Sequence, residues 1–423
     1  SVCGKVFCPI PGQPMSALPL TLFDVQLETY LELPQKPHGQ ITIFAGDVLL
    51  RFDPAEVELS DSGLIGVAAW ESPEEASGHG VYADIADNGK VRSFLQKPSI
   101  HEMERSEARD DRGRAAIDLG VMSFTPDFAD SLLEVADSLC DGDAGTVPAL
   151  DFYTEIACCL PEDTDFDEYV KVVQDHGASN LQQKELKSVW DALHEEPFHC
   201  TVLDQCDFLH FGTSQDYLAS AQRLSYENRV HATEGHRRPV VLLSQPDSGM
   251  VAGEDSVVEG TSLDGVLELA GRNVVAGAAT KGDTFLREGV CLDVLPGTSK
   301  EGEQGYFHRL YGIEDTFKGS LEHGDCTYLN EPIETWVKRH GVAVDDVWPD
   351  VPADKRSLWN AKLFPFSEDR EAVGLVLWMQ REETDAEAKS LWMRQERYAM
   401  EEMSDLADGE RFFPEMLNAI ESA

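Results

Sequence analysis

Several short stretches of this 423-residue chain carry residues able to act on phosphates. In ITIFAGDVLLRFD, residues 41–53, an apolar run suited to a half-buried strand breaks at Gly46-Asp47, so the Asp47 carboxylate should emerge where the strand stops. Ligands of open α/β sheets sit outside the carboxyl ends of the strands, where a metal or nucleotide would meet this carboxylate. A plain turn or a helix cap is the competing reading. In SVCGKVFCPIP, residues 1–11, Lys5 follows a glycine and can lay an ammonium against phosphate oxygens as a point charge, or can simply be solvated. In GKVRSFLQKPS, residues 89–99, Lys97 precedes Pro98, which predicts extended geometry and a side chain projecting from a strand end. AIDLGVMSF carries Asp118 and Gly120, and ALDFYTEI carries Asp151. Glycine permits close backbone approach to a ligand. A second carboxylate near Asp47 would complete a Mg²⁺ site that keeps waters and substrate phosphates as its other ligands.

Composition narrows the partners such residues could serve. The balance of 34 Lys+Arg against 78 Asp+Glu gives a net charge of −44, which argues against a general nucleic-acid or anionic-membrane surface. The acid is spread along the chain and reads as a solvated, self-repelling surface. Nine cysteines without a CxxC pair read as reduced core thiols of a cytoplasmic protein. Neither a membrane span nor a secretory leader is visible. The start at Ser1 rather than Met is expected to reflect a processed or truncated N-terminus.

The elements that must position these residues follow from periodicity. Residues 1–195 alternate strand-like runs (LIGVAAW, GVYADI, AIDLGVMSF) with helical patterns (TLFDVQLETYLEL, FADSLLEVADSL), which predicts an α/β domain with a mainly parallel sheet flanked by helices. ERSEARDDRG, near 105–114, reads as a surface loop or short helix. A second domain, 196–365, contains Val251, Val257, Leu263, Leu269 and Val275 at a six-residue interval, the signature of a parallel β-helix burying one aliphatic column. The segment 366–423 is expected to be helical, with TDAEAKSLWMRQERYAMEEMSDL forming an amphipathic helix that packs internally or docks a partner.

The order of the pieces resembles a known family. GK-x-F-x-PIP, the LFDVQLETY helix, the strand ending GDV, FLQKPS, DLGV, DFYTEI, then FLHFGTSQDYL at 208–218, the six-residue repeats, YGIEDTFKGS and LWNAKLFP are similar to the GDP-fucose pyrophosphorylase family, including the portion fused to L-fucokinase in bifunctional enzymes. The resemblance covers most of residues 1–365. It implies a Rossmann-like nucleotidyltransferase sheet, a β-helix-like domain and C-terminal helices. It further implies that fucose 1-phosphate attacks the α-phosphate of GTP to give GDP-fucose and pyrophosphate.

In that scheme Asp47 and Asp151 hold Mg²⁺, Lys5 offsets charge on the α-phosphate and pyrophosphate, and Lys97, Asp118 and Gly120 lie at the sugar phosphate. The family's glycine-rich nucleotide loop, Gly-Gly followed shortly by Arg, is expected just before the Gly-Lys pair, where this chain begins at Ser1, so weak or absent synthesis is expected of the chain as given. No kinase-type loop is visible, and a sugar-kinase module would lie elsewhere in a fused protein. A non-catalytic regulatory or assembly subunit and a pyrophosphorylase for another sugar are the competing readings.

Overall fold

The computed structural model describes residues 39–58, 62–140, 150–176, 181–227, 239–242, 244–246, 250–412 and 414–415. Lys5 lies outside the described residues. Two compact units divide between Leu209 and His210. The division falls beyond the expected boundary at 195 because a further strand, Phe198–Leu203, belongs to the first unit's sheet.

The strands of that sheet are β1 (Ile41–Phe44), β3 (Leu64–Glu71), β4 (Gly80–Ile85), β5 (Val91–Gln96), β6 (Ala115–Phe124) and β7 (Phe198–Leu203), with a short β2 (Val48–Arg51) leaving it after β1. Their order is β5-β4-β6-β3-β7, and β1 lies beside β6. Only β3 and β7 run parallel, and the other described pairings are antiparallel, so the expectation of a mainly parallel sheet is corrected to a mixed one. The local reason is Asp87-Asn88-Gly89: Gly89 has φ +79 and donates its N–H to Ala86 O at 2.8 Å, closing a turn too short for anything but an antiparallel hairpin.

Both faces of the sheet are buried. Leu64, Ala68, Tyr82, Phe124 and Phe198 face the core shared with the helices Pro126–Cys140, Phe166–His176 and Gln183–Leu193. The alternate residues Val67, Ala69, Val81, Ile117 and Leu119 pack on the other side with Met103 of the helix Ile100–Arg105. That helix starts where FLQKPS ends: Ser99 Oγ accepts the Glu102 N–H at 3.2 Å and Glu102 Oε2 accepts the Ser99 N–H at 2.8 Å, a reciprocal cap that explains the motif's serine.

In the second unit, strands at Val240–Leu242, Val257–Glu259, Val274–Ala276 and Val290–Thr298 pair in parallel, one after another. Two further parallel sheets contain Ser262–Asp264 beside Ala279–Lys281 and Val266–Leu269 beside Thr284–Leu286. Val240, Val257 and Val274 are register partners, so the pattern returns every 17 residues (257 − 240 and 274 − 257). Val257, Leu263, Leu269 and Val275 are buried in one core and Val251 packs against it. They do not form the single column expected. Six residues carry the chain onto the next sheet, so Val257, Leu263 and Leu269 lie in three different sheets and Val275 pairs with Val258.

The C-terminal stretch also departs from expectation. Two helices, Ala386–Arg394 and Met400–Leu406, are separated by a strand, Arg397–Tyr398, that pairs with Phe364–Ser367. Gln395 takes extended backbone, and the fully buried Tyr398 is thereby inserted between Phe307 and Phe366. Trp392 and Met403 are buried in the same core, so this stretch is internal packing. Among the described residues no helix is long and apolar enough to cross a membrane, and Cys158, Cys159, Cys200, Cys206, Cys291 and Cys326 are free thiols.

Leu263 is 1% exposed, so Leu263→Asp would bury an unpaired charge and is expected to lower stability by about 3–5 kcal/mol. Asp264, on the exposed side, should tolerate Asn with little change. Thermal unfolding followed by circular dichroism measures both, and equal midpoints for the two variants would contradict the inward assignment.

Candidate functional site

The site is built on an irregularity in β6. Gly66 pairs with Met122 and Ala68 with Asp118, so two residues of advance on β3 (68 − 66) face four on β6 (122 − 118). Such bulges re-aim side chains. Gly120 lies in the bulge with φ +70, and a Cβ there would sit 2.6 Å from the Cβ of Ala45. Its N–H donates to Asp118 Oδ2 at 2.9 Å, and its carbonyl accepts the Ala45 N–H at 2.7 Å. The second of these bonds terminates β1 against β6.

Asp118 itself is 5% exposed. Tyr82 donates its hydroxyl to Asp118 Oδ1 at 2.7 Å. Tyr82 reaches it because Gly66 has no side chain: a Cβ on Gly66 would lie 1.7 Å from the Tyr82 hydroxyl. Gly80 opens the neighbouring position, where a Cβ would come within 2.6 Å of Phe94 and 3.4 Å of the Asp118 Cβ. Three glycines therefore make the space in which one carboxylate is enclosed.

The candidate residues fall around this enclosure. Because β3 occupies the opposite edge of β6, β4 and β1 share the remaining edge, with Gly80 at the start of β4 and Phe44 at the end of β1 flanking residues 118–120. Asp47 sits in the turn that follows β1, half-buried, as a carboxylate at a strand end. The strand is not central: among the described residues β1 pairs only with β6. Asp151 caps the π-helical turn Phe152–Ile156, its Oδ1 accepting from Tyr153 N, Thr154 N and Thr154 Oγ1, each at 2.9 Å. The fully buried Glu155 accepts the Asp151 N–H at 3.1 Å, and its Oε2, 2.7 Å from Thr154 Oγ1, shares that hydroxyl's single proton with Asp151 Oδ1. Asp47, Asp118 and Asp151 all lie within electrostatic reach of the Tyr153 phenol.

Lys97 is exposed at the end of β5, and its N–H donates to His79 O at 3.0 Å, one residue beyond the Gly80–Gln96 pair. Its φ is +47, so the expected extended geometry is corrected to left-handed. Proline excludes the right-handed helical region from its predecessor, and the chain must turn sharply here to enter the Ser99-capped helix. A non-glycine residue in this region stores about 1–3 kcal/mol of strain.

Asp118 and Gly120, expected at the sugar phosphate, have polar atoms engaged inside the protein, and through the Ala45 N–H they fix the end of β1. Tyr82, Tyr153 and Gly66 were missed by sequence reasoning. An isolated glycine within the run LIGVAAW is the signal that something approaches closely there.

Electrostatics set Asp118 apart. Burial pushes its carboxyl up to about 6, with the bonds from Tyr82 and Gly120 pulling the other way. The titratable groups facing it are Tyr82 on β4, Cys200 on β7 and Tyr153, and burial raises all three, so they stay protonated through the neutral range. A carboxyl whose folded value lies above its unfolded one binds its proton more tightly in the folded state. Stability from this group is therefore greatest below pH 4 and falls as pH rises through the window from about 4 to 6, by roughly 3 kcal/mol in all. Urea unfolding of the parent and of Asp118→Asn across pH 4.5–8 should show the two profiles converging or crossing as pH rises. Parallel profiles would contradict an Asp118 that titrates in this window.

Comparison with known proteins bears on the same residues. The fucose pyrophosphorylase domain model matches residues 1–369. A Bacteroides fragilis L-fucokinase/L-fucose-1-P guanylyltransferase is 23% identical over 97% of this chain and 41% of its own length. An Arabidopsis thaliana bifunctional fucokinase/GDP-fucose pyrophosphorylase is 25% identical over 98% of this chain and 41% of its own. The chain thus spans about two fifths of the length of these curated relatives. A solved structure described as a mannose-1-phosphate geranyltransferase from Thermus thermophilus is 11% identical with a TM-score of 0.29, covering 65% of this chain and 66% of that one, and carries no argument. With the model matched across the whole first unit and most of the second, the chain belongs to the fucose pyrophosphorylase family.

Proposed function

We propose that the chain is a fucose-1-phosphate guanylyltransferase: an oxygen of the sugar phosphate attacks the α-phosphate of GTP, forming the new P–O bond as the bond to pyrophosphate breaks, and GDP-fucose and pyrophosphate result. The observation that carries the proposal is the fucose pyrophosphorylase domain model matched over residues 1–369, with Asp47 in the turn that follows β1 and Asp151 capping the turn Phe152–Ile156. Family membership supports fucose as the sugar, and the relatives' names support guanine as the base.

Phosphoryl transfer demands little covalent chemistry from a protein and much positioning and charge neutralisation. The donor set fits Mg²⁺. All three hydrogen bonds to the Asp151 side chain fall on Oδ1; among the described residues no group of three or more His, Cys, Asp or Glu could hold a metal ion, so an ion here would rest on fewer protein ligands. One or two carboxylates with substrate phosphates completing the shell is the arrangement Mg²⁺ favours. Asp47 and Asp151 would hold the ion, which when bound neutralises charge on the phosphates. Lys97 offers an ammonium to the sugar phosphate, and Lys5, outside the described residues, is assigned the α-phosphate. The parallel strands from Val240 onward support reading the second unit as a parallel β-helix. The kinase activity in the relatives' names belongs to those longer proteins, and a fused sugar-kinase partner is a proposal for this chain.

Pyrophosphate release from GTP and fucose 1-phosphate with Mg²⁺ tests the reading, with ATP and mannose 1-phosphate as competitors. Fucose 1-phosphate with GTP should give the highest kcat/KM. Asp47→Ala should lower turnover about 100-fold or more while moving the unfolding midpoint little, because a half-buried turn carboxylate contributes little to packing. An Asp47→Ala enzyme with parental turnover, or a better rate with another sugar phosphate, would overturn the assignment.

A further inference from the structure

A single buried hydroxyl stands between two carboxylates at the Asp151 cap. Thr154 is 1% exposed, and its Oγ1 lies 2.9 Å from Asp151 Oδ1 and 2.7 Å from Glu155 Oε2. A threonine hydroxyl carries one proton to donate, so the two acidic oxygens share it. Asp151 Oδ1 also accepts the N–H groups of Tyr153 and Thr154, each at 2.9 Å, and Glu155 Oε2 accepts the Asp151 N–H at 3.1 Å. The turn is tied down from outside as well, because the Tyr169 phenol, on the helix Phe166–His176, donates to Glu155 O at 2.8 Å. Glu155 is fully buried and must find its donors inside the protein. A fixed Glu155 keeps the Thr154 side chain in place, and Thr154 in turn keeps Asp151 Oδ1 against the turn. Among the described residues no hydrogen bond falls on Asp151 Oδ2.

The geometry points to Thr154 as a positioning residue that locks the Asp151 carboxylate, with Oδ1 spent on the turn and Oδ2 the one oxygen left to meet an ion. Two N–H bonds to one oxygen leave the carboxylate room to swing about it, and the hydroxyl removes that freedom. The inference rests on the guanylyltransferase reading for its kinetic consequence, but not for its structural one. Small displacements of reacting groups cost large factors in rate, so loss of the lock should show in turnover and in the demand for Mg²⁺, and least in binding the sugar phosphate.

Thr154→Val replaces the hydroxyl with a methyl group at nearly the same volume, and Thr154→Ser keeps the hydroxyl. Hydrogen exchange on the substrate-free protein should show the Tyr153 amide, a donor to Asp151 Oδ1, exchanging about 10-fold faster in Thr154→Val than in the parent, and within about twofold of the parent in Thr154→Ser. With substrates, Thr154→Val should lose roughly 10-fold in kcat and need about 10-fold more Mg²⁺ for half-maximal turnover, with KM for fucose 1-phosphate within about twofold. Thr154→Ser should recover both. A hydroxyl that only stabilised the turn would move the exchange and leave the Mg²⁺ demand alone. Thr154→Ala, which leaves room for water instead of setting a methyl group against two carboxylates, provides the comparison if Thr154→Val folds poorly. Parental Tyr153 exchange in Thr154→Val, equal losses in Thr154→Val and Thr154→Ser, or an unmoved Mg²⁺ demand in an active Thr154→Val would overturn the proposal. Absence of turnover in the parent would strike the guanylyltransferase reading alone, because the exchange and its rescue by serine decide without substrate whether the hydroxyl fixes Asp151.

Discussion

A carboxylate removed from water must receive its hydrogen bonds from the fold, and Asp118 receives them from groups that lie far apart in the sequence. The Tyr82 hydroxyl comes from β4 and the Gly120 N–H from the bulge of β6 itself. Leaving a single partner out would expose the group to a desolvation penalty of about 1–3 kcal/mol or more. Much else follows from meeting that demand. Gly66 must lack a side chain so that the Tyr82 hydroxyl can arrive, Gly120 must be left-handed so that its N–H can turn inward, and β1 must stop where the Gly120 carbonyl takes the Ala45 N–H. Asp47 stands after that stop, and Asp151 caps the turn that carries Tyr153.

The second unit buries a charge differently. Arg309 and Asp293, 3% and 1% exposed, form a two-pronged pair between adjacent antiparallel strands, with Arg309 Nη2 at 2.5 Å from Asp293 Oδ2. Burial still raises the Asp293 carboxyl despite its cation, because desolvation outweighs the attraction. Nearby, the buried Asn273 donates to the carbonyls of Arg287 and Val290, each at 2.7 Å, and accepts the Gly271 N–H at 2.9 Å, satisfying a coil turn that water cannot reach. These groups are saturated by fixed partners and serve the scaffold. Asp118 has neutral donors only, and its carboxyl is correspondingly raised to about 6.

How much of this was legible in the sequence depended on whether the deciding interaction was local. The strands LIGVAAW, GVYADI and AIDLGVMSF were readable because branched and aromatic residues favour pleated, buried surfaces. Asp47 was readable at a strand end because Gly46 interrupts an apolar run. The six-residue pattern revealed which residues point inward, but not that successive members sit on different sheets, since that depends on where the chain bends. Lys97 was misjudged because the rule for residues before proline forbids one helical region without naming which alternative a tight turn will select. Tyr82 was invisible for a different reason: a tyrosine in an apolar segment looks like a core residue, and only the fold brings its hydroxyl to a carboxylate 36 residues away (118 − 82). The HFGTS motif resolved into a helix start in which Thr213 and Asp216 cap one another and His210 lies 3.2 Å from Asp216.

For the proposed chemistry, the value of an enclosed carboxylate lies in rigidity, since it orients the residues around it without presenting its own oxygens to a substrate. That account depends on Asp118 being ionised, buried and held by the Tyr82 hydroxyl at neutral pH. A double-mutant cycle of Tyr82→Phe and Asp118→Asn, with stabilities from urea unfolding at pH 8, measures that interaction most directly. The account predicts a coupling energy of about 1–3 kcal/mol, as for a hydrogen bond to a buried charge; additive effects, with no coupling between the two positions, would contradict it.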